Sequence, residues 1–324
     1  MSSAFGQYLK LSIFGQSHGE ALGVTLDGFP AGMTIDMEQL LAEMARRAPG
    51  QSLMTTARKE PDAPEFLSGV LNGRTTGQPI CAIIRNTNQR SKDYGDGVDL
   101  VRPGHADYTG HVRYFGFEDW RGGGSFSGRL TAGIVLAGTL CSQYLVHQGV
   151  KIACHIQQLG DVRDASFLAA DAAADCAFLK GMHLPVLTAG LNQQMEETVL
   201  AARDKQDSVG GVLECMVTGL PAGLGAPFFD SVESVLSHLL FAIPAVKGVE
   251  FGEGFGFASM RPTPSISQKQ RTVSLRTGEN ADLEIHGRHD PCILPRAVPV
   301  VEAMAAIGIM ELWKERAACL DGSK

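Results

Sequence analysis

The residues best equipped for chemistry gather around three successive glycines. Arg121-Gly122-Gly123-Gly124-Ser125-Phe126-Ser127-Gly128-Arg129 comes shortly after Arg102-Pro103-Gly104-His105-Ala106-Asp107. Glycine has no Cβ, so such a run lets backbone amides approach an anion, while the neighbouring hydroxyls and guanidinium groups add donors for phosphate or carboxylate. Leu130 to Gln148 then reads as a mostly apolar helix ended by Gly149, which would set the loop's amides at a helix start. Three glycines alone also suit a plain surface turn. His18 and His105 stand in polar, glycine-flanked loops, where an imidazole can pass a proton near neutral pH. Gly15-Gln16-Ser17-His18-Gly19 also fits the Gly-x-Ser-x-Gly pattern of a hydrolase nucleophile. That elbow requires a strand before it and a helix after it, whereas Ala21 to Leu26 reads as another strand.

Two later loops carry similar chemistry. Gly287-Arg288-His289-Asp290-Pro291-Cys292 sets a cation, an imidazole and a carboxylate side by side, and a plain ion pair is the bland reading of Asp290 beside Arg288. In Arg261-Pro262-Thr263-Pro264-Ser265-Ile266-Ser267 two prolines fix the backbone while hydroxyls face outward, as in a polar ligand wall or a solvent-facing loop. Arg46, Arg47, Arg102, Arg121, Arg129, Arg261 and Arg288 thus lie in or near these loops on a chain of net charge −7. If half of them converge, the ligand is polyanionic. The overall negative charge gives no reason to expect nucleic acid as a partner, and the remaining histidines show no metal-ligand spacing.

The elements that must position these loops alternate between strand and helix. Strand patterns occur at Leu9 to Phe14, Gly23 to Leu26, Cys81 to Ile84, Lys151 to Leu159, Val212 to Val217 and Thr272 to Leu275. Helical patterns start at Asp36, which can cap with Gln39 three residues on, near Asp230-Ser231, and over Val298 to about Glu315. Val24 to Gly32 and Met216 to Gly223 share a strand ending in Gly-x-Pro-Ala-Gly, by common turn chemistry or by duplication into two related halves. No linker divides the chain, so residues 1–324 read as one domain. Seven widely spaced cysteines without Cys-x-x-Cys point to a reducing compartment. With no signal-peptide pattern and no apolar run near the roughly 20 residues needed to span a bilayer, a cytoplasmic protein is expected.

Taken in order, Phe14 to Gly19, Arg102 to Asp107, Arg121 to Arg129, Ile243-Pro244-Ala245-Val246-Lys247-Gly248, Arg261 to Ile266 and Gly287 to Cys292 resemble the motifs of the chorismate synthase family, from about Phe5 to Trp313. The resemblance implies an α+β fold, a β-α-β sandwich of two antiparallel sheets with helices, with pseudo-twofold symmetry and assembly as a homotetramer. It implies a shikimate-pathway lyase that converts enolpyruvylshikimate phosphate to chorismate and phosphate by anti elimination, with reduced FMN required but not consumed. His18 would protonate the leaving phosphate, His105 the reduced flavin, and Asp290 would act at flavin N5. Ser17, Arg47, Arg102, Ser127, Arg129 and Arg288 would hold the substrate. Ser125, Phe126, Ser127, Pro244, Ala245, Arg261, Pro262, Thr263, Pro264, Ser265 and Arg288 would contact FMN. Fungal members reduce their flavin with NADPH; this chain shows no additional reductase domain, so an external flavin reductase is expected.

The chain departs from the family pattern in three places. Ser125 and Leu53 stand where arginines are usual, and Ser259-Met260 bridges a point where the family carries a few dozen more residues, including a flavin-touching turn. Either the chain lacks that segment or this sequence omits it. Omission is the favoured reading, because losing a flavin-site loop should abolish activity; a binding-only relative is the alternative.

Overall fold

The computed structural model describes residues 3–50, 61–87, 100–168, 176–252, 258–260, 269–283 and 292–321. Its N-terminal part is a meander of β1 (Ala4–Phe5), β2 (Lys10–Gly15) and β3 (Ala21–Asp27), followed by helix α1 (Met37–Arg47). β4 (Pro64–Ser68), a small hairpin of β5 (Val70–Leu71) and β6 (Arg74–Thr75), and β7 (Ile80–Arg85) come next. The first sheet has the order β1-β2-β3-β7-β4, antiparallel throughout. Helices α2 (Asp107–Tyr114) and α3 (Thr131–His147) lead to β8 (Lys151–Leu159), β9 (Val162–Arg163), α4 (Leu191–Asp204), β10 (Gly211–Thr218), α5 (Val232–Phe241), β11 (Val246–Gly248) and β12 (Ala258–Met260). These strands form a second antiparallel sheet, β11-β12-β10-β8-β9. The hairpin of β13 (Gln270–Val273) and β14 (Asn280–Leu283) and the long α6 (Leu294–Asp321) complete the described elements.

Local chemistry accounts for the boundaries. Asp36 accepts from Gln39 N at 2.9 Å and starts α1, and Ser231 accepts from Ser234 N at 3.2 Å and starts α5. α3 packs against β3 and α6 packs against β8 and β10, while the two helices lie on each other between the sheets. The result is a β-α-β sandwich of α+β class. α3 and α6 come very close at Gly138, where a Cβ would stand 2.4 Å from the Ala303 Cα; only a glycine permits that approach. The stretch Gly128–His147 is, against expectation, long and apolar enough by composition to cross a bilayer. It is instead the buried central helix, with Ala132, Val135, Leu136 and Leu140 at most 1% exposed.

The repeated Gly-x-Pro-Ala-Gly falls at matched places in the two sheets. β3 and β10 are each the central strand of five. Gly28 and Gly219, one residue beyond each, both have φ +79, and a Cβ would lie 2.3 Å from Tyr8 O in one case and 2.1 Å from Gly149 O in the other. The same backbone exit in both halves accords with the expected pseudo-twofold.

Candidate active site around the triple glycine

Ser17 and His18 occupy the turn between β2 and β3, whose pairing closes at Gly15↔Leu22. A strand therefore follows this turn, not a helix, and the nucleophile-elbow geometry is absent. Ser17 and His18 are buried, and Ser17 N donates to Gly124 O at 3.1 Å, stitching this turn to the glycine loop.

Gly122, Gly123 and Gly124 have φ of 61°, 85° and 53°, which L side chains rarely adopt. The helix expected from Leu130 to Gln148 is α3, Thr131–His147, reached from the glycines through 3-10 turns over Arg121–Phe126 and Gly128–Leu130. The space the glycines leave is already used. A Cβ on Gly122 would lie 2.6 Å from His18 Nε2 and 3.1 Å from Ser17 Oγ; one on Gly123 would lie 3.2 Å from His105 Nε2 and 3.4 Å from Arg102 Nη2. Two imidazoles, a hydroxyl and a guanidinium thus converge on two glycines.

His105 is held from behind. Its Nδ1 is 2.6 Å from Asp107 Oδ1, and Arg102 grips the same carboxylate through Nε at 2.7 Å and Nη2 at 2.7 Å. Burial opposes ionisation of Asp107, but the bonds from Arg102 and His105 outweigh it and hold its carboxyl well below the usual range. An ionised Asp107 accepts a proton-bearing Nδ1, leaving Nε2 toward Gly123. Arg121 forms a bidentate pair with Asp119 on the exposed side of the loop.

A second cluster lies beside the first. Arg129 donates Nε to Asn86 Oδ1 at 3.1 Å and pairs through Nη1 with Asp62 Oδ1, while among the described residues its Nη2 is buried without an acceptor. Arg47 donates to Thr131 Oγ1 at 3.1 Å, Asp62 Oδ2 at 3.1 Å and Gly128 O at 2.7 Å, so each of its nitrogens has an internal acceptor. Burial, followed by the charge of Arg296, pushes its pKa down to about 9. Asp62 is fully buried, with φ +48, and is the carboxylate both arginines share.

The other expected contacts are dispersed. Ser127 Oγ accepts from Arg129 N at 3.3 Å, Ser125 is exposed, and Phe126 fills the space beside Gly110, where a Cβ would be 2.6 Å from its ring. Pro244 and Ala245 form the turn from α5 into β11 on the second sheet, Ala245 at φ +75. Arg261, Pro262, Thr263, Pro264, Ser265, Arg288, Asp290 and Leu53 lie outside the described residues. Asp62 and Asn86 carried no sequence signal: one acidic and one amide residue in polar segments gain meaning only from what the fold brings to them.

Reduced FMN suits these surroundings. Two imidazoles and a guanidinium packed on the glycines, with a buried Arg129 Nη2 that has no acceptor among the described residues, are donors that fit an anionic group.

The α+β sandwich and its cluster of imidazoles and guanidinium groups are those of an enzyme with a small anionic substrate. The family model of chorismate synthase matches residues 9–261 and 256–313, and the chain belongs to that family of lyases. The chorismate synthase of Dehalococcoides mccartyi is 40% identical over 354 residues, covering 96% of both chains, and that of Methanocaldococcus jannaschii is 36% identical over 374 residues, again 96% of both. Those spans exceed the 324 residues here, so the relatives carry residues this chain lacks. A solved crystal structure of chorismate synthase aligns with TM-score 0.71 over 96% of this chain and 93% of that one at 22% identity, which speaks for the fold.

Proposed function

We infer that this chain converts 5-enolpyruvylshikimate 3-phosphate to chorismate and phosphate by anti elimination. The observation that carries the reading is the buried Arg129 Nη2 without an acceptor among the described residues, at the end of a glycine loop in which Gly122 packs on His18 and Gly123 on His105. A buried donor left unmade costs about 1–3 kcal/mol, and an anionic substrate removes that cost. Arg129, Arg102, Ser17, Ser127 and Arg288 hold phosphate and carboxylates, with Arg47 behind them fixing Asp62 and the Gly128 carbonyl, and His18 gives its proton to the departing phosphate. His105, its ring oriented through Nδ1 by Asp107, would pass a proton to the reduced flavin through Nε2, and Asp290 would act at flavin N5. Ser125 to Ser127, Pro244, Ala245, Arg261 to Ser265 and Arg288 would hold FMN, which when bound lends an electron and takes it back. The glycines let the His18 and His105 rings come close to the loop backbone.

The wider reading is a cytoplasmic homotetramer in aromatic biosynthesis, supplied with reduced flavin by a separate reductase rather than by its own use of NADPH. We place the residues that relatives have in addition between 258 and 261, where the two family matches overlap. A relative that binds substrate without turning it over is the second reading, favoured by that lost segment and by Ser125 and Leu53. Anaerobic phosphate release from the substrate decides between them. Turnover with reduced FMN and none with oxidised FMN is the expected result; equal turnover in flavin-free buffer excludes the mechanism, and substrate binding without turnover leaves the second reading.

A further inference from the structure

We propose that Asn86 is a positioning residue that locks the His18 turn and the Arg129 guanidinium into one unit. It stands one residue beyond β7, and its backbone N donates to Glu20 O at 3.0 Å, continuing the β3–β7 ladder and fixing where its side chain starts. From there Nδ2 donates to Gln16 O at 3.1 Å and to Gly19 O at 2.9 Å, the two ends of the segment that carries Ser17 and His18. Its Oδ1 accepts from Arg129 Nε at 3.1 Å. The amide is used on both sides, and only one orientation serves. Turned over, the NH2 would face a guanidinium donor and the oxygen two carbonyls, so all three bonds would be lost.

The consequence is geometric. With Nε held by Asn86 and Nη1 by Asp62, the Arg129 fork cannot rotate, and Nη2 is the nitrogen left for an incoming anion. The same side chain sets the height of the His18 turn, which also leans on the glycine loop through Ser17 N. The proton donor and the anion clamp therefore keep one spacing because a single amide holds both. No electron or proton passes through Asn86.

This inference rests on the lyase reading for the meaning of turnover, but two of its measurements do not. Asn86→Ala removes both functions of the amide; Asn86→Asp keeps the acceptor for Arg129 and removes the donors to the turn. Amide hydrogen exchange over residues 16–19, where Gly19 N donates to Gln16 O and Ser17 N to Gly124 O, should accelerate about tenfold in both variants. Inorganic phosphate, titrated calorimetrically, should bind about tenfold more weakly to Asn86→Ala and within about threefold of wild type to Asn86→Asp. Turnover with reduced FMN should then separate kcat from KM: both suffer in Asn86→Ala, while in Asn86→Asp kcat falls roughly 10- to 100-fold with KM nearly kept. Unchanged exchange at 16–19 overturns the proposal, as does equal loss of phosphate affinity in the two variants, or a wild-type kcat in Asn86→Asp. A wild-type protein without turnover refutes the lyase reading instead, and the exchange and phosphate measurements still decide the role of Asn86.

Discussion

Asp62→Asn tests the charge arrangement at its most exposed point of logic. The Asp62 side chain is 0% exposed, and the two guanidinium groups it pairs with are 2% and 4% exposed. Asparagine keeps the volume and one carbonyl oxygen, but it removes the carboxylate that Arg47 and Arg129 share and turns an NH2 toward one of them. Breaking a buried pair by neutralising one partner costs about 3–5 kcal/mol, because the remaining charge stays buried. At about 2–4 °C per kcal/mol the melting temperature should drop by roughly 6–20 °C. The same change leaves two cations with one fewer anion, so added phosphate should stabilise the variant more than the wild type; at a hundred times Kd a ligand contributes about 2.7 kcal/mol. Differential scanning calorimetry in chloride and in phosphate at matched ionic strength measures both effects. A variant that melts within 2 °C of wild type, or responds to phosphate no more than wild type does, would refute the shared-carboxylate account.

The histidine roles predict that His18→Ala and His105→Ala each lower turnover by roughly 10²- to 10⁴-fold with unchanged circular dichroism; wild-type rates would remove the assignments. Gly122→Ala should approach the loss in His18→Ala, since its Cβ would sit 2.5 Å from His18 Cδ2 and the backbone is at φ +61; an active Gly122→Ala would mean the imidazole stands elsewhere. Asp107, whose folded pKa is depressed, contributes stability that is complete above its unfolded value of about 3.9 and lost as pH falls below it. Urea midpoints should therefore separate wild type from Asp107→Asn at pH 7 and converge toward pH 2–3, and a constant gap across that window would contradict the pairing.

Much of the scaffold was legible because it rests on short-range chemistry. The α1 start follows from Asp36 and Gln39, three residues apart, and β8 has the bounds its apolar pattern gives. The longer α6 was only partly legible: Pro299 reads as a breaker, yet it falls in the second turn, and the helix runs on to Asp321. α2 was missed because eight residues containing Gly110 carry too few apolar positions to show a period. At the site, the glycines and histidines announced themselves by type, whereas Asp62 and Asn86 did not. Asp62 meets Arg129 from 67 positions away and Asn86 meets it from 43, and no local pattern encodes such a meeting. Arg47 shows the converse: its type suggested a ligand-facing cation, and the fold gives each of its nitrogens an internal acceptor.

The junction at 258–260 bears on what the missing family residues can be for. Ala258–Met260 forms β12, which pairs with β10 through Gly211↔Met260, Val212↔Ser259 and Leu213↔Ala258, and with β11 on its other side. A strand hydrogen-bonded on both sides has its backbone groups satisfied and leaves no gap in the sheet. Closure of the second sheet therefore does not depend on the residues that relatives have in excess. The sandwich, the glycine loop and the Arg129 cluster form without those residues, so a shortfall in turnover would not be a deficit of the fold. The two are separable in one preparation: cooperative unfolding and phosphate binding report the scaffold and the anion site, and only the flavin-dependent step would register the loss.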